Sequence, residues 1–227
     1  MHWPTAHKKT IYNMKKLLLV LTLSCIAFIV HAQPKMVRGY LYGTGGANWA
    51  TFFQSSTNVP ALRGVWGPEA ALSYRTVYPT WVGYETGIYY AGKGAKFSDT
   101  LGSVHLNYVG AFVNGLIYFP LINNDDAYAG MGIYTAGAIN GKAGVDSAKQ
   151  DIKFDGEKWN RFDIGLQIRL GYVVKNTVAF GIHYDIGLVP PYTGRTIENK
   201  TFHARNSVFN IFVALKLAKI YEKPITY

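Results

Sequence analysis

The chain has 227 residues, a formal net charge of +10, 49% hydrophobic and 15% aromatic residues, 24 Gly and 17 Tyr. This length suits one domain behind a leader, the Tyr and Gly content favours strands and tight turns, and no Ala/Leu/Glu/Lys-dense tract supports a helical bundle. The only cysteine, Cys25, excludes a disulfide framework and paired-cysteine chemistry.

The first element is a leader. From Met14 the sequence runs MKKLLLVLTLSCIAFIVHAQ, with Lys15 and Lys16 ahead of an apolar stretch from Leu17 to Val30. Val30-His31-Ala32 then places small residues at −3 and −1 for cleavage before Gln33, as in a secretory signal peptide. The apolar stretch is short for a spanning helix. Residues 1–32 are therefore expected to be a signal peptide with its true start at Met14, and 33–227 the exported domain. Cys25 falls inside the leader, and Thr22-Leu23-Ser24 before it does not match a lipoprotein signal. The leader holds Lys8, Lys9, Lys15 and Lys16 and no acid, so its loss lowers the charge from +10 to +6. An exported, mildly basic chain without a basic stripe is a poor nucleic-acid binder and a better match for anionic lipid headgroups.

Eight aromatic and apolar runs follow: 37–52, 65–76, 80–92, 104–119, 127–140, 161–173, 177–188 and 205–219. The spacers 53–64, 93–103, 141–160 and 189–203 are long, whereas 77–79, 120–126 and 174–176 are short. An up-and-down meander with one loop end and one turn end has this alternation; a Greek-key sandwich has no reason for it.

Within the runs the side chains alternate. Phe162, Ile164, Leu166, Ile168, Leu170 and Tyr172 share one face, and Asp163, Gly165, Gln167, Arg169 and Gly171 the other. Val178, Phe180, Ile182, Tyr184, Ile186 and Leu188 lie opposite Ala179, Gly181, His183, Asp185 and Gly187. In the last run Phe209, Ile211, Val213, Leu215 and Leu217 oppose Asn206, Asn210, Ala214 and Lys216. Ionisable groups facing hydrocarbon cost about 2–4 kcal/mol each at the midplane for Arg or Lys. The apolar face should therefore meet lipid and the charged face point inward. By the same parity Glu69, Ser73, Arg75, Gly83, Glu85 and Gly87 point in. An eight-stranded barrel is barely wide enough for its own side chains. Glu69, Glu85, Asp163 and Asp185 against Arg75, Arg169 and Lys216, with His183 adjusting, should form a paired polar plug. Trp49, Phe52, Trp66, Trp81, Tyr89, Tyr90, Tyr118, Phe119 and Tyr172, near the run ends, are candidates for interfacial girdles.

Catalytic and metal signatures are weak. His183 and Asp185, even with Ser73, do not define a triad by spacing. The histidines are scattered, and no H-x-E-x-H or paired-cysteine motif occurs. Asp125-Asp126 and Asp146/Asp151/Asp155 read as solvated turns rather than calcium ligands, and GTGG at 43–46 lacks the Lys and helix of a phosphate loop. No catalytic residue, cofactor or metal is expected.

Six motifs recur in order: YYAGKGAKF (89–97), LNYVGAFVNGLIYFP (106–120), AGMGIYTAGAINGKAG (129–144), FDIGLQIRLGY (162–172), HYDIGL (183–188) and RNSVFNIFVALKL (205–217). Together they resemble the porin-family outer-membrane β-barrel domain of Gram-negative bacteria, which includes PorT-like proteins linked to protein secretion. The resemblance covers nearly all of 36–219. Such barrels tend to end on an aromatic strand residue, whereas LAKIYEKPITY follows the last run here. The reading is an all-β, eight-stranded antiparallel up-and-down transmembrane β-barrel, monomeric, in the outer membrane. Its partners are outer-membrane lipid and an envelope protein or extracellular ligand, met through loops, with Asp155, Lys158 and Trp159 as candidate contacts. The resemblance implies, as an alternative, a PorT-like component of a secretion system; a narrow small-solute channel is the other alternative.

Overall fold

The alternating runs become strands in the computed structural model, which describes residues 36–54, 62–78, 81–97, 102–121, 125–145, 148–154, 159–195 and 201–224. The expected signal peptide lies outside them. Eight long strands are β1 (Met36–Gln54), β2 (Val65–Val77), β3 (Val82–Lys96), β4 (Ser103–Pro120), β5 (Asp126–Gly144), β7 (Phe162–Val174), β8 (Val178–Gly187) and β10 (Thr201–Pro224). Two short ones, β6 (Gln150–Asp151) and β9 (Tyr192–Arg195), lie in the connections. Each long strand pairs antiparallel with its neighbour in sequence, and β10 returns to β1 over Met36–Gln54, closing the ring. β6 adds to β5 and β9 to β10 outside it. Closure removes the free edges that an open sheet would expose.

The strand parity decides what faces where. On β7 every second residue from Phe162 to Leu170 is exposed, while Asp163, Gly165, Gln167 and Arg169 are buried. Ile88, Met131, Ile133, Phe180 and Leu215 continue the exposed apolar belt around the ring. A soluble monomer does not carry an apolar surface of this extent; a membrane barrel requires it. Trp81, Phe119 and Tyr172 stand outward near the short turns, and Trp49 and Trp66, paired in register, near the long connections. Phe52, Tyr89 and Tyr118, expected in the same girdles, instead point into the lumen and are buried. Parity overrides position along the strand: each sits an even number of residues from an inward neighbour such as Ala50, Glu85 or Asn114.

The two ends differ as expected, with one correction. β3 runs on to Lys96 and β5 to Gly144, so parts of the expected loops 93–103 and 141–160 are strand. The turn end is tight. Val174-Lys175-Asn176-Thr177 forms a β-turn between paired Val174 and Val178, with φ of 45° at Lys175 and 54° at Asn176 and a Thr177 N–H to Val174 O bond of 2.9 Å. Positive φ at both central residues matches the twist of the flanking strands. Asp125 ties the preceding short turn to this one, accepting from the Lys175 backbone N–H at 2.8 Å and the Tyr172 hydroxyl at 2.7 Å.

The Lys175 backbone N–H, helped by the Tyr172 hydroxyl, holds the Asp125 carboxyl below its ordinary range. A carboxyl depressed on folding stabilises the fold above its unfolded pKa, and that contribution disappears as pH falls through the folded value. Carboxyl titration by NMR in micelles should therefore place Asp125 below its ordinary 3.8. Asp125→Asn should flatten the acid limb of the stability profile only below about pH 4.

Candidate functional site

The lumen carries its charges as a column along the axis. Towards the turn end, Glu85 is fully buried between two guanidinium groups. Arg75 Nη2 donates to Oε1 at 3.2 Å and Arg169 Nη1 lies 3.1 Å from Oε2. The Ser73 hydroxyl also donates to Oε1, at 2.7 Å. The register explains the pairing: Arg75 is directly opposite Glu85 across β2 and β3, whereas Arg169 reaches over from β7. Arg75 lies between the rings of Tyr42 and Tyr128, with its guanidinium carbon 4.5 and 4.6 Å from their centroids, and donates to the Tyr128 hydroxyl at 3.2 Å. Arg169 stacks over Phe212 at 4.2 Å. Such cation–π contacts gain strength once the cation is desolvated.

Towards the loop end a second cation, Lys93, holds two acids. Its ammonium is 3.1 Å from Asp163 Oδ2, 3.6 Å from Asp185 Oδ2 and 4.4 Å from the Tyr134 ring centroid. Asp163 also accepts from Asn206 at 2.8 Å and from the Tyr134 hydroxyl at 3.2 Å. Gln167 joins the column laterally, donating to Asp185 at 2.8 Å and accepting from Asn114 at 2.7 Å. His183 connects the halves: its Nε2 is 3.4 Å from Glu69 and 3.7 Å from Asp185. Asn210 supports Glu69 with a 2.9 Å bond.

Seven of the eight residues expected in the interior lie in this column: Glu69, Arg75, Glu85, Asp163, Arg169, His183 and Asp185 are all buried. Lys216 is a correction. It sits half-buried at the turn-end mouth with its ammonium 5.0 Å over the Tyr40 ring. Here β10 slips against β1 between Leu41 and Tyr42. Lys93 supplies the third fixed cation instead. It was missed because the third run was ended at 92, yet the parity Glu85, Gly87, Tyr89, Ala91, Lys93 continues without a break and would have found it. The charges stay near balance: four carboxylates face three fixed cations, with His183 beside two of the acids.

The column does not have the order of a nucleophile site. The Ser73 hydroxyl is committed to Glu85, on β3, while His183 faces Glu69 and Asp185. Buried rings pack around the charges in two clusters. Tyr89, Tyr108, Phe112 and Tyr134 form one buried cluster, and Tyr40, Tyr42, Tyr118, Tyr128 and Phe212 the other. At the loop end Trp159 packs against Tyr192, centroids 4.5 Å apart and rings tilted at 46°, where an isolated bridge joins the two residues. The other expected contacts, Asp155 and Lys158, lie outside the described residues.

Residues 32–190 match the family model described as outer membrane protein beta-barrel domain. Among solved structures the chain is similar to Neisserial surface protein A, at 15% identity and a TM-score of 0.43, over 78% of this chain and 97% of that one. It is similar to Ail, the attachment invasion locus protein of Yersinia pestis, at 9% identity and a TM-score of 0.40, over 82% and 100%. The N-terminal β-barrel domain of Pseudomonas aeruginosa OprF follows at 10% identity and a TM-score of 0.39, over 82% and 100%. No curated protein matches the chain.

Removing one partner of a buried ion pair strands the other, typically at 3–5 kcal/mol, so Lys93→Met should cost about 3–5 kcal/mol. Lys216→Met, at the mouth, should stay within about 0.5 kcal/mol. Equilibrium urea unfolding in lipid vesicles measures both; equal losses would contradict the placement of the third cation.

Proposed function

We propose, on the premise that the chain belongs to the outer membrane protein beta-barrel domain family, that it is a plugged, non-catalytic barrel whose work is binding at its loop end. The mature domain would begin after a cleaved leader at 1–32 and act as a monomer, with the tight turns facing the periplasm and the long connections outside. One observation carries this reading. Glu85, Arg75 and Arg169 form a buried, mutually paired cluster across a ring of only eight strands. Side chains fill an interior of that width, and the paired charges have no cause to part for a passing solute. The variable surface left to the protein is its connections, where binding residues concentrate on a rigid scaffold. The contact of Trp159 with Tyr192 offers an aromatic platform there.

A narrow channel is the competing use of the same lumen. Reconstitution in planar bilayers distinguishes them: the plugged barrel inserts without current, and stable unitary conductance steps would refute the plug. A role in a secretion assembly rests on the PorT-like resemblance; a deletion strain that secretes normally would remove it.

A further inference from the structure

Where the loop end meets the apolar belt, the outer wall changes from apolar to polar and charged within a few residues. On β7, Phe162 is 62% exposed and Arg161 directly precedes it. On β5, Ile139 is 55% exposed and Lys142 stands exposed three residues on. On β4, the outward row passes from Val113 and Val109 to Asn107 and His105. The connection after β5 folds back over this border. β6 sets Asp151 opposite Lys142, and the Ile152 N–H donates to Gly141 O at 2.9 Å. Alternate residues Lys149, Asp151 and Lys153 thereby line a cleft of about 790 Å³ together with His105, Lys142 and Arg161. Among the described residues that line it, four fixed cations face one carboxylate.

A second feature lies beside it. Ala70, Leu72, Ile88 and Val109 border a shallow apolar groove of about 300 Å³ on the lipid-facing wall of β2, β3 and β4. Val109 is two residues below Asn107, and the Tyr90 hydroxyl, on the groove's edge, donates to Asn107 Oδ1 at 2.9 Å. The groove and the cleft thus adjoin across β4, one in the hydrocarbon and one at its edge. An anion in water needs only the cleft; an amphiphile with an anionic head and an acyl tail fits both.

We infer that the cleft binds the phosphorylated headgroup of an outer-leaflet glycolipid of the lipid A type, with one acyl chain in the groove. This inference deepens the binding role proposed above and rests on its orientation, which puts the cleft at the outer leaflet. Lys142, Lys153 and Arg161 supply charge-assisted hydrogen bonds to phosphate oxygens, the strongest polar contacts available at such a border. The cleft's volume suits a phosphorylated disaccharide. Bound this way, the lipid becomes a fixed annular component that sets the barrel's depth and holds the folded-back connection against the wall.

The test titrates the detergent-purified mature protein with phosphorylated lipid A, with chemically dephosphorylated lipid A, and with inorganic phosphate. Native mass spectrometry counts the bound lipid. The phosphorylated form should bind at least about tenfold more tightly than the dephosphorylated one, and millimolar inorganic phosphate should not displace it. The combined Lys142→Gln, Lys153→Gln and Arg161→Gln variant should lose at least about tenfold, and Lys219→Gln, at the opposite mouth, nothing. Equal binding of the two lipids, an unchanged triple variant, or displacement by inorganic phosphate would each overturn the inference. Heat-modifiable migration on SDS gels verifies folding of each variant; should the triple variant fail it, Lys153→Gln, outside the strands, carries the same comparison. A parent protein that lacks the heat shift would refute the membrane-barrel reading itself, a result separate from any lipid outcome.

Discussion

Glu85 held between Arg75 and Arg169 is the interaction on which the other features depend. Closing eight strands leaves a lumen that only side chains can fill, and a charge placed there loses its water. Desolvation costs several kcal/mol per ion even after relaxation, and only close pairing with further hydrogen bonds offsets it. Here one carboxylate takes two guanidiniums and a serine hydroxyl. The cations are in turn sheathed by Tyr42, Tyr128 and Phe212. The Lys93 site repeats the logic with one cation, two acids and Tyr134. Each pair joins different strands, so the column fixes β2, β3, β7 and β8 in one register from within, where a slip of one residue would turn the charges into lipid.

The same parity that buries the charges clothes the outside. Every inward Asp or Arg on β7 is flanked by an outward Ile or Leu, so a single alternation satisfies two solvents. This explains why the chain is only modestly hydrophobic overall and still presents a continuous apolar belt. It also sets the division of labour. The lumen is occupied by structure, and the surfaces left for recognition are the loop platform at Trp159 and Tyr192 and the cationic border beneath it.

Much of this was legible in the sequence, and the misses have physical causes. The strand number, the up-and-down order and the inward set from Glu69 to Asp185 follow from period-two alternation and spacer lengths, which a closed antiparallel ring preserves. Lys93 opens the spacer 93–103, whose Gly94, Ser98 and Gly102 read as loop, although β3 continues to Lys96. Lys216 shares the inward parity, but alternation cannot show how deep along the strand a residue lies, and Lys216 sits half-buried at the mouth over Tyr40. Tyr89 and Tyr118 are girdle candidates by their place near run ends, but an aromatic ring follows its strand parity before it follows membrane depth. The pairing of Arg169 with Glu85 joins β7 to β3 across the lumen, and no local pattern encodes a contact between strands that are not neighbours in the ring. The basic cleft depends on the fold-back of β6, two residues too short to leave a periodic signal.

The lumen charges stabilise the barrel as mutually dependent pairs. A double-mutant cycle on Glu85→Gln and Arg169→Gln, read by equilibrium unfolding in lipid vesicles, measures that dependence. The double variant should cost less than the two single variants combined, with a coupling of about 1–3 kcal/mol. Strict additivity would contradict the pairing and leave the lumen charges as independent polar residues.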